Sequence, residues 1–240
     1  MKTKKIKVVA LLTGKGSSGL KNKNITPIYK IPLLGYACKA INKIKFIDDF
    51  YVSSEDKKIL TTANRYGFKK ILRPKSLAKK NTQHRDVLIH SLKYLKNKNI
   101  EPKYIIVVLA NSATIKSNWI IDSFQKLQKS HNASACVAVI ANNDHHPFRA
   151  KQITNKGYLK SFFKFKKKIS SNRQDLTKNY FLAHNFWIIK TSEIYKNEGE
   201  GPWNFLGKRV LPYEIKSSVD VHDLKDILLT KLWLKDNRTT

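Results

Sequence analysis

The sequence predicts an α/β fold with a doubly wound, mostly parallel sheet, read as one domain over 1–240 with an inserted arm at about 142–180. Three observations predict it. Short, wholly apolar runs begin at Val8 (VVALL), Tyr104 (YIIVVL) and Ala135 (ACVAVIA), and such runs suit parallel strands buried between two helical layers. Segments with apolar residues at helical spacing alternate with these runs, as βαβ units require. A chain of 240 residues is also long enough to bury one substantial core.

The first run ends in TGKGSSGLKNKNI, where apolar β-branched residues give way abruptly to glycine, serine and lysine. Gly14, Gly16 and Gly19 allow a tight turn and a close approach of backbone to ligand. Ser17 and Ser18 add hydroxyl donors, and Lys15, Lys21 and Lys23 add compact positive charge. A triphosphate suits such a loop. The glycines do not read GxGxxG and no GK[ST] follows, so neither familiar nucleotide loop is present.

Helical spacing of Leu33, Leu34, Tyr36, Ala37, Ala40, Ile41 and Ile44 predicts the first crossover helix, followed by a short strand at Phe50-Tyr51-Val52. Ser53-Ser54-Glu55-Asp56 then supplies caps for a helix to about Tyr66, with Ile59 and Leu60 inward. Ligands of open α/β sheets sit at the carboxyl ends of strands, so Ser54 and the glycine loop should face one crevice. Gly67 closes that helix, and Ile71-Leu72 leads to Arg73-Pro74. A helix over 84–95 is predicted with Val87, Leu88, Ser91, Leu92 and Leu95 on one face.

The strand from Tyr104 runs into Ala110-Asn111-Ser112, where Asn111 and Ser112 can hydrogen-bond a polyol. A helix over 117–129 and the strand from Ala135 continue the alternation, which breaks at the polar stretch from Asn142 to Arg149 and the lysine- and aromatic-rich stretch after it. Adjacent His145 and His146 point in different directions and have no third ligand nearby, which argues against a metal there. A further strand covers Phe181 to Ile189. Near the end, Asp220 and His222 alternate with Val219 and Val221 and so share one strand face. Leu224, Ile227, Leu228 and Leu232 mark the apolar face of a last helix, with Asp223 and Asp226 capping its first turn.

Composition narrows the class. The net charge is +30, which raises nucleic-acid binding, yet only seven of the 47 cations are arginine and the lysines are scattered over nearly every surface. Fixed grips on phosphates and bases favour arginine, so the bias reads as a solvated surface and argues against a nucleic-acid role. No apolar run approaches the roughly 20 residues of a membrane helix. MKTKKIK leads into a core strand without a cleavage site, so a cytoplasmic protein is expected. Cys38 and Cys136 read as buried thiols.

Taken together, Gly16-Ser17 with Lys23-Asn24, Arg73-Pro74 through Leu77-Ala78, Arg173-Gln174-Asp175-Leu176 and Val219-Asp220-Val221 resemble, in order and spacing, the sugar-acid cytidylyltransferases, the family of CMP-N-acylneuraminate and CMP-Kdo synthetases. The resemblance runs from Val8 to about Leu234. It implies a Rossmann-like nucleotidyltransferase in which 142–180 is a dimerisation arm, and a reaction of CTP with a 2-keto sugar acid, an N-acylneuraminate or related nonulosonate, giving CMP-sugar and pyrophosphate. CMP-Kdo synthesis and a catalytically impaired nucleotide-binding homologue are the alternatives.

The resemblance also implies roles. Lys23 and Asp220 are the catalytic candidates, and Gly16, Ser17, Asn24, Ser54 and Arg73 hold the nucleotide. Asn111, Ser112, Arg149, Arg173 and Gln174 hold the sugar acid, Arg173 and Gln174 from the partner of a homodimer. Magnesium is the implied cofactor, on Asp220 with His222 one step behind it. This chain departs from the family at four working positions: Gly14 for an arginine, Ser18 for a lysine, Ala110 for the glutamine that holds the sugar, and His222 for the second carboxylate of D-x-D. Magnesium prefers oxygen ligands, which is why His222 is not given a direct bond.

Overall fold

The computed structural model describes residues 8–16, 19–142, 144–166 and 168–237; Ser17 and Ser18 lie outside the described residues. Strand β1 (Val8–Thr13) leads through the glycine loop and a small hairpin, β2 (Pro27–Ile28) and β3 (Ile31–Pro32), into helix α1 (Leu33–Asn42). Then follow β4 (Asp49–Ser54), α2 (Lys57–Asn64), β5 (Lys69–Leu72), α3 (His84–Lys96), β6 (Tyr104–Leu109), α4 (Ser117–Lys129) and β7 (Ala135–Ala141). After the arm, with β8 (Lys151–Ile153) and β9 (Leu159–Ser161), come β10 (Tyr180–Lys190), α5 (Thr191–Lys196), β11 (Val210–Glu214) and α6 (Leu224–Asp236).

Seven strands form one sheet in the order β11-β7-β10-β6-β1-β4-β5. All neighbours are parallel except β10, which runs antiparallel to both β6 and β7. Both faces are covered, as the apolar runs require. Val8, Ala10 and Leu12 face a core with Leu34, Ile41, Ile59 and Phe124, whereas Val9 and Leu11 face a second core with Leu88, Leu92 and Ile194. Residues 8–12 are at most 4 % exposed, and each large side chain so buried stabilises the fold by about 1.5–3 kcal/mol. The doubly wound, mostly parallel reading is therefore what the chain adopts. Helix α3 buries Val87, Leu88, Ser91, Leu92 and Leu95, the face its spacing predicted.

Cys38 and Cys136 are buried thiols, and burial pushes Cys38 up to about 12. No described helix is long and apolar enough to cross a membrane. The last helix differs from expectation. Ile227 and Thr230 turn inward, toward Val221, Ile28 and Leu33, while Leu224, Leu228 and Leu232 are 68 %, 59 % and 58 % exposed. Of the predicted face Ile227 alone is buried, because contact with the Val221 cluster selects the side of α6 that carries Ile227 and Thr230.

Within the arm, β8 and β9 pair antiparallel as a ribbon outside the main sheet, with Ile153, Tyr158, Leu159 and Phe162 exposed.

Candidate active site

The order of the sheet reverses direction at β1, with β4 and β5 on one side and β6 on the other. Crossovers that diverge there leave a crevice at the carboxyl ends of the strands. A cavity of about 780 Å³ occupies that place, lined by the loop after β1, the start of α3, the end of β6 and the segment holding Asp220.

Four ties hold the loop. Its first amide, on Gly14, donates to the Ser53 carbonyl (3.3 Å). Arg73, 5 % exposed, donates from Nη2 to the Gly14 carbonyl (2.8 Å) and to Glu55 Oε2 (2.6 Å), and the Gly16 amide donates to Glu55 Oε1 (2.7 Å). Breaking so buried an ion pair from one side costs about 3–5 kcal/mol, because it leaves a charge uncompensated. Asn24, also buried, donates from Nδ2 to the Lys15 carbonyl (2.9 Å). Its Oδ1, the Thr13 hydroxyl and Arg73 Nε are buried without a hydrogen-bond partner among the described residues, and all three side chains line the crevice. Unpaired buried polar atoms are costly, so their grouping marks a place built for a polar ligand. Glycine at 14 is required by contact: a Cβ there would lie 2.8 Å from that of Ala110. Two departures from the family pattern thus touch each other.

Across the crevice, Lys23 Nζ donates to the Val221 carbonyl (2.6 Å), which leaves two ammonium protons for a ligand. Burial lowers the Lys23 ammonium below the usual lysine range, while Asp220 and Asp226 oppose that shift. Asp220 accepts from the Asn111 amide on Oδ1 and lies 3.2 Å from His222 Nε2 on Oδ2. Burial raises its carboxyl above the usual range, and His222, Lys23 and His184 pull it back.

The sequence-predicted residues divide into two groups. Lys23, Asn24, Arg73, Asn111, Asp220 and His222 meet at the crevice; Gly16 is not among its lining residues, although its neighbour Lys15 is, and its amide is taken by Glu55. Ser54 and Ser112 stand behind it. The Ser54 hydroxyl accepts the Asp56 amide (3.1 Å) at the start of α2, and the Ser112 hydroxyl donates to the Val219 carbonyl (3.2 Å), so both serve the wall. Arg149, Arg173 and Gln174 are exposed on the arm and do not line this chain's crevice; Arg173 is paired with Asp144 (2.6 Å).

Two crevice residues escaped the sequence reading. Leu182 pairs with Val139 but Trp187 with Val137, so β10 bulges between them, and His184 sits in the bulge with φ 48. That left-handed backbone turns its imidazole into the crevice. His84 starts α3 and sets its ring edge-on to Trp187 (5.0 Å between centroids). Burial lowers His184 below the usual histidine range, and crowding does the same to His84, to about 4, although one edge of His84 stays exposed.

Asp220 is the carboxylate that the resemblance assigns to magnesium. Among the described residues no group of three or more His, Cys, Asp or Glu side chains is set to hold a metal, so an all-protein cage is absent. A single carboxylate still fits a cation that keeps several waters and binds substrate phosphates.

The cytidylyltransferase family model matches residues 14–200, which include the loop, the start of α3 and the β10 bulge. The chain belongs to the cytidylyltransferase family. Among curated relatives, the pseudaminic acid cytidylyltransferase of Campylobacter jejuni strain 81-176 is 23 % identical over 92 % of this chain and 93 % of its own length. The post-translational flagellin modification protein B of Campylobacter coli is 25 % identical over 85 % and 87 %. In Helicobacter pylori a pseudaminic acid cytidylyltransferase joined to a UDP-2,4-diacetamido-2,4,6-trideoxy-β-L-altropyranose hydrolase is 22 % identical over 88 % of the chain, and the chain spans 40 % of that longer protein. Of solved structures, a CMP:2-keto-3-deoxy-manno-octonic acid synthetase complexed with CTP superposes with TM-score 0.69 at 12 % identity, covering 98 % of this chain and 100 % of its own. The 4-diphosphocytidyl-2C-methyl-D-erythritol synthase of Anaerococcus prevotii gives 0.66 at 13 %, covering 96 % and 99 %. At such identity they show the fold alone, and it is the nucleotidyltransferase fold read from the sequence.

Proposed function

We propose that this cytidylyltransferase activates a nonulosonic sugar acid with CTP, and that the acceptor is an acylated, deoxygenated acid of the pseudaminic type. The observation that carries the acceptor class is a second cavity of about 590 Å³, entered past His184, which lines both spaces. Tyr180, Phe181, Leu182, Trp203 and Leu206 wall it, with Glu200 and Lys208 as charged groups. Aromatic and aliphatic walls suit methyl and acetamido groups better than a ring bearing a hydroxyl at every carbon. Relatives named as pseudaminic acid cytidylyltransferases support the same reading.

In the reaction a hydroxyl oxygen of the acceptor bonds to the α-phosphorus of CTP, the bond to the β-phosphate oxygen breaks, and the hydroxyl proton leaves. Positioning and charge neutralisation do most of the work. Lys23 offers its free ammonium protons to the phosphates, and Asn24 and Arg73 form the floor on the nucleotide side. Asp220 would hold magnesium, which when bound supplies charge neutralisation at the phosphates. His222 stands beside the Asp220 carboxylate, 3.2 Å away. The acceptor's carboxylate is met by Arg173 and Gln174 of a second copy, since this chain's own pair does not line its crevice.

Pyrophosphate release from CTP, measured against pseudaminic acid, N-acetylneuraminate and Kdo, tests the proposal. The highest kcat/KM is expected with pseudaminic acid. A preference for Kdo would overturn the acceptor class, and a flat response with all three would favour a nucleotide-binding homologue without transfer activity.

A further inference from the structure

We propose that Glu55 is a positioning residue of this site: its carboxylate joins the glycine loop to Arg73 and so sets where the triphosphate is received. Among the described residues each oxygen has one partner, Oε1 the Gly16 amide (2.7 Å) and Oε2 the Arg73 guanidinium (2.6 Å). Arg73 reaches on to the Gly14 carbonyl (2.8 Å), which closes a ring of contacts through Gly14, Lys15, Gly16, Glu55 and Arg73. The carboxylate is itself held in place. It follows the last residue of β4 and precedes Asp56, whose amide donates to Ser54 Oγ (3.1 Å) and whose carboxylate accepts the Lys58 amide (2.7 Å) at the start of α2. The Arg73 and Glu55 side chains are 4 % and 15 % exposed, so solvent screens the pair little.

Two consequences follow from electrostatics. The Gly16 amide, which a glycine loop would ordinarily turn toward phosphate, is committed to a side chain of the protein, so the loop has a fixed shape before nucleotide arrives. Arg73 is also given an anion of its own. Paired with Glu55, its guanidinium stays on the Gly14 carbonyl and holds the loop from the other side. Glu55 thus keeps Arg73 as a wall of the site and the loop in the shape that receives the phosphates.

The proposal rests on CTP use by this family and not on the acceptor's identity, so its test begins with CTP alone. Isothermal titration of CTP onto wild type, Glu55→Gln and Glu55→Asp is followed by pyrophosphate release with each substrate varied. Glu55→Gln keeps the shape and an acceptor for Gly16 but removes the charge beside Arg73. It is expected to weaken CTP binding and raise the KM for CTP by roughly 10- to 100-fold, the size of a lost charge-assisted contact, with the KM for the sugar acid little changed; the Tm falls as well, because Arg73 loses its partner. Glu55→Asp, which restores the charge on a shorter stem, should recover part of the loss. Unchanged or tighter CTP binding by Glu55→Gln would overturn the proposal, since the carboxylate would then be an occupant that phosphate displaces. Equal rises in both KM values would overturn it too, by reducing Glu55 to a structural tie. Should no sugar acid react with wild type while CTP still titrates, only the acceptor reading falls.

Discussion

The side-chain amide of Asn111, just past the end of β6, is hydrogen-bonded to the carboxylate of Asp220. Two residues that the sequence reading assigned to different substrates are therefore one unit. Asn111 fixes one oxygen of Asp220 and His222 lies beside the other, so the carboxylate is oriented before any cation arrives. Asp220→Asn is expected to lower kcat by roughly 10²-fold or more with the fold retained, as the loss of a charge on the reacting groups would. Asn111→Ala should cost less, and His222→Asp should keep or raise activity by adding an oxygen ligand. Pyrophosphate release with magnesium varied is the measurement. A folded but inactive His222→Asp protein would show that the histidine does something a carboxylate cannot.

Lys23 is the second point of attack. Its ammonium is anchored by the Val221 carbonyl in the segment that carries Asp220. Lys23→Ala should reduce kcat by roughly 10²-fold through lost charge stabilisation at the phosphates. Lys23→Arg should not restore full activity, because a planar fork cannot reproduce a compact charge at the same place. A wild-type rate in Lys23→Ala would remove the residue from the mechanism.

How far the chain could be read beforehand depends on the kind of signal. Strands buried on both faces, such as Val8–Thr13 and Tyr104–Leu109, announce themselves because every side chain is apolar. Lys23, Asn24, Arg73 and Asp220 were singled out by their resemblance to family motifs, and all four line the crevice at the strand ends. Hydroxyls were misjudged: Ser54 and Ser112 carry the right chemistry, but local hydrogen bonds use it up. His184 could not be found by alternation, because a bulge breaks the period of two that such reasoning assumes. The leucines of α6 show the same limit for helices. Periodicity groups Leu224, Ile227, Leu228 and Leu232 on one face, but the tertiary contact buries Ile227 together with Thr230 and leaves the three leucines exposed.

Sharing of sites between two copies is tested by mixing. The Arg173 side chain is exposed, is bonded across the arm to Asp144 and does not line this chain's crevice, so a role in binding the acceptor requires another chain's crevice. Inactive Arg173→Ala and Asp220→Ala proteins, once exchanged, should regain part of the activity, because one hybrid site then carries both native residues. Light scattering confirms pairing, and pyrophosphate release reads the result. A mixture that stays inactive despite proven exchange would place Arg173 outside the reaction.

The last prediction concerns acid. His84 is held at about 4 instead of the usual 6.5, first by desolvation and then by the charges of His184, Arg73 and Lys15. The folded protein therefore resists a proton that the unfolded chain accepts. Between those two values the unfolded state binds more protons, so stability rises with pH across that interval. The contribution is fully present above about pH 6.5 and is lost as the pH falls toward 4. His184, also lowered by burial, acts in the same direction. Replacing His84 with Asn removes the titrating group, so the fall in Tm between pH 7 and pH 4.5 should be shallower in the variant than in wild type. The comparison is between slopes, which makes it independent of any constant loss from the missing ring contact with Trp187. Parallel Tm profiles for the two proteins would mean that His84 titrates normally in the folded chain and that the crowding around its ring does not exclude a proton.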